Sequence, residues 1–414
     1  MRNLLIVSDI HFCRVREGGV VGGQRRLAEF IEHHATHREN GEPWRLIVNG
    51  DLCDLDYQTD TVDDRGPEGA SVRMFAEVAD EYPEVFRALA HFLEQGHEIV
   101  LIPGNHDIDF MWESVRQVLR ARLVAHGAPA ESLERLSFCD WFYYEKDRIY
   151  LEHGHQYETD TALVGPLDPF DHGGTRLRLS LSTHWVSGYC PFIPDLAYQA
   201  DHTRSFLAYM PLLVRRYGLR APELFFKYLR FAARTLCDAG ARHGLPTPRH
   251  LERRAQLAAR IDMPEETLAQ IEGLTASPRM ASRMAIGARL HVVTAFLLPL
   301  VAVLGGLGAA LGSTAVLVSA AATLAVAVIA NLAISGRFGK AHASERVVAA
   351  GLQEVLKVPL VSFGHFHVAT DEPAGQGRYL NSGTWMEPHL PNTYIQVIAH
   401  AAEVRSWWVP AAVN

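Results

Sequence analysis

Five short clusters of polar residues carry the side chains that could do chemistry, and each cluster follows a mostly apolar run. They are Asp9-Ile10-His11, Gly50-Asp51-Leu52-Cys53-Asp54, Gly104-Asn105-His106-Asp107, His153-Gly154-His155 and Gly364-His365-Phe366-His367. One Asp-x-His pair alone fits a helix cap or a loop histidine, but five such clusters with loop-forming glycines do not arise by accident. Converging carboxylate, amide and imidazole donors suit two divalent metals such as Mn, Fe or Zn. Such a pair can activate water and stabilise the attacking and leaving oxygens of a displacement at phosphorus.

Short buried strands must position these clusters. Residues 4–7, 45–49, 98–102 and 148–152 are mostly apolar runs, as expected for strands that are buried on both faces. Between them, residues 23–37 and 74–95 have helical apolar spacing, and Gly96 is suited to end the second helix. This alternation predicts an α/β fold, whose parallel strands place ligands beyond their carboxyl ends. The strand pattern resumes at residues 358–363, 378–381, 393–398 and 402–408, so an insertion is expected to split the sheet.

Composition narrows the class of protein. The chain has 414 residues, of which 48% are hydrophobic and 21% charged, so a disordered chain is excluded and more than one domain is expected. Its net charge of -8 argues against non-specific nucleic-acid binding, which needs clustered Lys and Arg. The five cysteines are scattered without CxxC spacing and are expected to be reduced thiols. The N-terminal apolar run has no small-residue cleavage site, so no signal peptide is predicted.

The predicted insertion, at about residues 160–355, differs in composition from the rest of the chain. Residues 185–231 contain 11 aromatic side chains mixed with arginines. This mixture suits a membrane interface, and it suits equally a helical lid with its own aromatic core. Residues 245–290 are polar and rich in arginine, so we expect solvated helices there.

A long uncharged run lies near the end of the insertion. Residues 292–336 contain no charged side chain, and Arg289 and Arg337 flank the run. One membrane-spanning helix needs about 20 apolar residues, so the run is long enough for two. We expect residues 292–311 and 314–334 to cross a membrane as a hairpin with both ends in the cytosol. The alternative is a soluble helical hairpin buried in a core, but a soluble domain rarely buries two helices that are apolar all round.

Together the five clusters resemble the calcineurin-like metallophosphoesterase superfamily, over about residues 1–155 and 356–410. The resemblance implies a sandwich of β-sheets flanked by helices. It also implies two metal sites that share one bridging carboxylate. Asp9, His11 and His367 would hold one metal, Asn105, His153 and His365 the other, and Asp51 would bridge both.

The same resemblance implies a role for a histidine that is not a metal ligand. His106 would approach the substrate as proton donor to the leaving group or as oxyanion stabiliser, and Asp54 would orient it. His155 lies beside the ligand pattern, so we expect it to support a ligand rather than to bind metal itself.

Departures from the superfamily pattern narrow the activity. Protein phosphatases of this superfamily carry Asp-Arg-Gly after the second cluster, where this chain continues Cys53-Asp54-Leu55-Asp56, so that activity is not expected. The chain is distantly similar to UDP-2,3-diacylglucosamine hydrolases, which act at the inner membrane and carry a helical insertion between the last two clusters. That branch has Arg where this chain has His106, and it has no long membrane hairpin.

These observations predict a membrane-anchored phosphoesterase with two divalent metals of uncertain identity (Mn, Fe or Zn). Its predicted parts are a core at residues 1–158 and 356–414, a helical lid at 159–290 and a transmembrane hairpin at 291–336. Its substrate would be a phosphomonoester, phosphodiester or pyrophosphate, lipid-linked or nucleotide-linked, hydrolysed on the cytoplasmic face of the inner membrane. The alternatives are a catalytically inactive membrane scaffold, which the complete ligand set disfavours, and a metal-dependent nuclease, which the net charge disfavours. No nucleic-acid partner is expected.

Overall fold

The computed structural model describes residues 2–13, 23–57, 67–193, 206–239, 245–338, 344–386 and 389–408. The strands in these ranges, numbered β1 to β11, are Asn3–Val7, Trp44–Asn49, Glu98–Ile102, Leu136–Phe138, Phe142–Glu145, Ile149–Glu152, Leu360–Phe363, Thr370–Ala374, Gly377–Asn381, Asn392–Ile398 and Ala401–Trp408. The helices, numbered α1 to α13, are Gly23–Thr36, Glu68–Glu81, Pro83–Glu94, Glu113–Ala125, Leu181–Gly188, Phe206–Tyr217, Ala221–Asp238, Pro248–Arg260, Glu265–Leu274, Arg283–Arg289, Val292–Leu311, Thr314–Phe338 and Glu345–Leu356.

The strands form two mixed sheets that pack face to face. The first sheet has the order β11-β10-β1-β2-β3-β4, in which β1 to β4 are parallel and β10 is antiparallel to β1. The second has the order β5-β6-β7-β9-β8, with β6, β7 and β9 parallel. Leu4 and Ile47 from the first sheet share a buried core with Leu151 and Leu360 from the second. The chain thus forms the α/β arrangement of sheets flanked by helices that the sequence predicted.

One predicted strand belongs to the other sheet. The run at residues 148–152 is β6, which pairs with β5 and β7 in the second sheet, whereas β4 lies beside β3 in the first. Ile149 is opposite Leu360, so β6 and β7 pair across the whole insertion. The strands β4, β5 and β8 were not predicted, because each is only three to five residues long and has at most one fully buried residue.

The first sheet is covered by α1, α3 and α4, whose apolar faces form one buried cluster with it. The prediction of a single helix at residues 74–95 is wrong: α2 and α3 meet at Tyr82, which has φ -126°. Pro83 causes the break, because proline lacks the N–H that a continuing helix needs and is tolerated at a first helical position. The Tyr82 hydroxyl donates to the Cys13 carbonyl at 2.6 Å, which fixes the corner. Gly96, with φ +84°, follows the end of α3 as predicted.

The second sheet is covered by α8, α9 and α13. Leu257, Leu268 and Ile271 are buried in one cluster with Leu352 and Phe363, although they belong to the segment predicted as solvated helices. That prediction is wrong for one face of these helices. A polar composition hid the apolar stripe, because α8 contains four arginines, one of which, Arg254, pairs with Glu265.

The remaining helices of the insertion have a separate core. Tyr189, Tyr228 and Phe231 are buried together with Ile286 and Leu290, and Trp185 packs against them. Within the described residues, the aromatic segment at 185–231 thus packs into an aromatic core of its own, and its role as a lid stays a prediction. The tight aromatic packing, with Tyr189 and Tyr228 ring centroids 5.5 Å apart, explains the unusual composition.

The uncharged run forms a helical hairpin of α11 and α12. Gly312 has φ +59° at the turn, and the Thr294 hydroxyl donates to the Ala327 carbonyl at 3.3 Å across the two helices. Within the described residues, Val292–Leu311 is the one helix that is long and apolar enough to cross a membrane, and 17% of its most apolar window is buried. The first helix of the hairpin is therefore apolar and largely exposed.

Candidate metal centre

The predicted site residues lie at the carboxyl ends of strands from both sheets. Asp9 follows β1, Asp51 follows β2 and Asn105 follows β3 in the first sheet, while His153 follows β6 and His365 follows β7 in the second. Because the two sheets pack face to face, these loops meet at one edge of the sandwich. The structure brings all nine predicted site residues together there.

The first group of possible ligands is Asp9, His11 and His367, whose donor atoms all lie within 4.8 Å of one another. The Nε2 atoms of His11 and His367 face each other at 3.1 Å, and His367 Nε2 is 3.3 Å from Asp9 Oδ1. His11 Nε2 also lies 3.8 Å from Asp51 Oδ2. This convergence of nitrogen and oxygen lone pairs is the arrangement that a divalent cation stabilises.

The second group is Asp51, His153 and His365, again with donor atoms within 4.8 Å of one another. The Nδ1 atom of His153 is 2.9 Å from the Asn49 carbonyl, to which it donates, so Nε2 is left as the ligand atom. That Nε2 lies 3.0 Å from Asp51 Oδ2. Asp51 thus faces a ligand candidate of each group, as a bridging carboxylate must.

One buried atom at this second group tests whether a metal fits. Among the described residues, Asn105 Oδ1 is buried and has no hydrogen-bond partner. A buried polar atom without a partner costs about 1–3 kcal/mol. An amide oxygen beside carboxylate and imidazole donors suits a divalent metal, so the donor set fits a cation at this position.

The backbone at several predicted ligands has a conformation that few residue types adopt. Five predicted ligands have φ between +52° and +65°, the left-handed region that disfavours residues other than glycine; these are Asp9, His11, Asp51, His365 and His367. Such conformations cost about 1–3 kcal/mol each and persist where the surroundings enforce them. The Asp9 carbonyl accepts from Trp385 N–H at 3.0 Å and from the Thr384 hydroxyl at 2.9 Å, and the Asp9 carboxylate accepts from His365 N–H at 3.0 Å.

The loop that carries Asn105 and His106 is held by a buried carboxylate. Asp107 Oδ1 accepts from Gly104 N–H at 2.7 Å, and its Oδ2 accepts from Leu52 N–H at 2.7 Å. This links the loops after β2 and β3. Burial and the neighbouring Asp51 raise the pKa of Asp107 to about 7.

His106 is the predicted residue that contacts two carboxylates. Its Nδ1 atom is 2.9 Å from Asp54 Oδ1, as predicted, and 2.7 Å from Asp56 Oδ1, which the sequence reasoning missed. Burial alone would lower the pKa of His106, but the carboxylates of Asp56, Asp51 and Asp54 outweigh it and raise this pKa well above its usual value. Burial acts in the opposite sense on Asp54, whose pKa is nevertheless lowered by His106 and His11.

Two further residues define the edge of the site. Glu158 Oε2 is 2.9 Å from His365 Nε2, a contact that the sequence reasoning also missed. His155 is buried, its ring centroid lies 5.5 Å from that of His153, and it belongs to none of the three groups of possible ligands at the site, the third of which is His11, Asp54 and His106. Glu158 has no sequence signal of its own, because it lies three residues after the His153-Gly154-His155 cluster and outside every motif.

Comparison with known proteins covers the first part of the site. A family model described as calcineurin-like phosphoesterase matches residues 2–185, which include every predicted site residue except His365 and His367. No curated protein matches the chain. Residues 2–185 are thus similar to calcineurin-like phosphoesterases, and the ligand groups at the sheet edge agree with that similarity.

Proposed function

We propose that the protein is a phosphoesterase with two divalent metals that share Asp51. The family match and the ligand groups support a metal-dependent phosphoester hydrolase, and the number of metals is our inference. The observation that carries it is the position of Asp51, within 3.0 Å of His153 Nε2 and 3.8 Å of His11 Nε2. One metal would be held by Asp9, His11, His367 and Asp51, and the other by Asp51, Asn105, His153 and His365.

When bound, such metals supply an activated water and charge stabilisation at the phosphoryl oxygens. The chain's own contribution is His106. Its Nδ1–H is held by carboxylates, so its Nε2 can present a proton to a leaving oxygen. The two sheets fix this histidine and the ligand groups at one edge, so the proton donor and the phosphorus would be held in a constant relation.

The test is reconstitution with Mn, Fe or Zn, followed by assays on phosphomonoesters, phosphodiesters and nucleotide-sugar lipids. Asp51→Ala should lose bound metal and activity together, because it removes the ligand that both groups share. His106→Ala should keep the metals and slow turnover by about 10²–10⁴-fold, the usual contribution of a general acid. If His106→Ala loses the metals while Asp51→Ala keeps them, the assignment of roles is wrong.

We also propose that the hairpin anchors the enzyme in a membrane and that the substrate is lipid-linked. Two observations support this. Val303, Leu311 and Val326 on the hairpin are 65%, 66% and 65% exposed. Leu290 and Ala295 at the base of the hairpin share a core with Leu181 in α5, and α5 packs on the turn Leu55–Tyr57 beside the site. The membrane and the metal centre would thus be held at a fixed distance.

Matched substrates with short and long acyl chains test the lipid proposal. In detergent, the long-chain substrate should be hydrolysed with the higher kcat/KM, since each methylene removed from water contributes about 0.8 kcal/mol. Phe226, which is 63% exposed on α7, is a candidate contact, and Phe226→Ser should reduce the preference. Equal rates for both chain lengths in the intact enzyme would end the lipid proposal and leave the phosphoesterase proposal standing.

A further inference from the structure

The carboxylates of Asp54 and Asp56 both face His106, and that of Asp54 also faces His11. Asp54 Oδ1 is 2.9 Å from His106 Nδ1 and also 3.3 Å from His11 Nδ1. Asp56 Oδ1 is 2.7 Å from His106 Nδ1, and the Asp56 side chain is fully buried. The resemblance implied a single pair, Asp54 with His106, whereas the structure places a second carboxylate, Asp56, beside His106 and a second histidine, His11, beside Asp54.

We infer that each carboxylate positions a different histidine. Asp56 is the positioning residue for His106, and Asp54 is the positioning residue for the metal ligand His11. This inference rests on the proposed function. A neutral imidazole has one N–H, and whichever nitrogen carries it is set by the acceptor that the N–H meets. A carboxylate at His11 Nδ1 keeps the proton there, so His11 Nε2 is free as a ligand toward Asp9, Asp51 and His367.

The same reasoning applies to His106, with a different outcome. His106 must carry a proton on Nε2 to give it to a leaving oxygen, so its other nitrogen needs a partner that stabilises the imidazolium form. Asp56 is that partner, because its Oδ1 lies closer to His106 Nδ1 than Asp54 Oδ1 does and its side chain is fully buried. Asp54 Oδ1 lies near both His106 Nδ1 and His11 Nδ1, whereas Asp56 Oδ1 gives His106 a second, closer carboxylate.

The backbone around residues 54–57 keeps the two carboxylates in place. Residues Leu55–Tyr57 form a single 3-10 turn, which brings the side chain at position 56 back toward position 54. The backbone fixes the start of this turn, since Asp54 N–H donates to the Phe12 carbonyl at 2.8 Å and Leu55 N–H donates to the His106 carbonyl at 3.3 Å. Helix α5 of the lid packs against the same turn. The turn that carries Asp56 is therefore held by the core and by α5 together, since α2 packs against it as well.

Asp56→Asn and Asp54→Asn, with Asp147→Asn on an exposed turn as the matched control, separate the two roles. Metal content and metal affinity are measured by competition with a chelating dye, which needs no activity. Turnover is measured on two substrates that differ only in their leaving group, a nitrophenolate and an alkoxide. Proton donation matters for the alkoxide and little for the nitrophenolate. The ratio of the two rates on one preparation is independent of the folded fraction.

Asp56→Asn should keep both metals and slow hydrolysis of the alkoxide substrate selectively. The ratio of the alkoxide rate to the nitrophenolate rate should fall by up to about 10²-fold. Asp54→Asn should weaken metal binding by about 10–100-fold, and the ratio should stay close to that of the parent. If Asp56→Asn does not fold, Asp56→Ser is assessed by the same two measurements.

The opposite pattern overturns the inference. In that pattern, Asp54→Asn hydrolyses the alkoxide substrate more slowly at full metal affinity, and Asp56→Asn has the metal affinity and rate ratio of Asp147→Asn. A loss of metal in Asp56→Asn also overturns it. A parent protein that binds metals but hydrolyses no phosphoester would refute the proposed function instead. In that case the affinity measurements alone still decide whether Asp54 supports His11.

Discussion

At the scale of single residues, the site depends on a position where no side chain fits. A Cβ atom at Gly104 would lie 2.0 Å from Asp51 Oδ1 and 2.5 Å from the Asp51 backbone nitrogen, and neither atom can move without moving the shared ligand. Gly104 thus sets the distance between the loops after β2 and β3.

We predict that Gly104→Ala displaces Asp51 and abolishes metal binding, as measured by metal content after dialysis. Gly69→Ala is the control, because a Cβ at this position in α2 meets nothing within 4 Å. It should keep the metals and raise the free energy of unfolding by up to about 1 kcal/mol, the difference in helix propensity. Full metal occupancy in Gly104→Ala would contradict the close approach of the two loops.

Glu158 provides a second prediction at this scale. Because its carboxylate contacts His365 Nε2, the other ring nitrogen of His365 is left for a metal. Glu158→Gln should weaken metal affinity at the second site by about 10–100-fold with little change in thermal stability. Glu131→Gln, at an exposed position, should change neither the metal affinity nor the thermal stability. Titration with Mn, followed by electron paramagnetic resonance, measures this. Unchanged affinity at both sites would show that Glu158 serves only to hold the loop.

Residue types predicted the ligand set but not its supporting partners. Asp9, His11, Asp51, Asn105 and His153 follow apolar runs closely, so the strand pattern indicates them. Supporting carboxylates have no such signal, because their role depends on how a turn folds back. Asp56 stands two residues after Asp54 in the sequence, yet only the 3-10 turn shows that both face one nitrogen.

At the scale of elements, α1 carries a buried histidine that should make the core sensitive to acid. His34 packs against Phe30, with ring centroids 4.4 Å apart, and its Nδ1–H donates to the Phe30 carbonyl at 2.8 Å. Burial lowers the pKa of His34 to about 4. The folded state therefore favours neutral His34, and its stabilisation is present above the unfolded pKa of about 6.5 and is lost as pH falls toward 4.

We predict that His34 accounts for about 2 kcal/mol of the stability lost between pH 7 and pH 5. His34→Leu removes the titrating group and keeps an apolar side chain suited to a helix, so its loss over this interval should be smaller by that amount. Urea unfolding followed by tryptophan fluorescence measures it, since the Trp44 ring lies 5.6 Å from His34. Equal losses in both proteins would place the acid sensitivity elsewhere.

Helices and strands were predicted well where buried apolar side chains recur at a regular spacing in the sequence, and poorly where they do not. The strands β1, β2 and β3 are buried along almost their whole length, and the sequence located them within one residue. The short edge strands β5 and β8 are mostly half-buried or exposed, so their sequence has no clear period. The buried face of α8 was missed because arginines surround a narrow apolar stripe.

At the scale of the whole molecule, the base of the hairpin is tied to the site by ion pairs. Arg289, just before α11, donates to Asp160 Oδ2 at 2.6 Å, and Arg279 donates to the other oxygen of that carboxylate. Asp160 lies two residues after Glu158, which contacts His365. The base of the hairpin is thus on the same side of any membrane as the metal centre, whatever the flanking charges favour.

We therefore predict that the turn of the hairpin faces the side of the membrane opposite the site. In Ser313→Cys, an impermeant thiol reagent added outside intact cells should label position 313, and the native, exposed Cys237 on the lid should stay protected until lysis. Peptide mass spectrometry separates the two positions. Labelling of both cysteines only after lysis, with the protein released by carbonate, would show that the hairpin does not cross.

The pairing of β6 with β7 has a consequence for how the protein is made. During synthesis, Asp9, Asp51, Asn105 and His153 leave the ribosome before the hairpin, whereas His365 and His367 follow it. A hairpin that inserts as it emerges would be in the membrane before β7 can pair with β6 and deliver the last two ligands. The nascent enzyme would then have no complete metal centre until it was anchored, and hydrolysis would begin only where the finished protein resides.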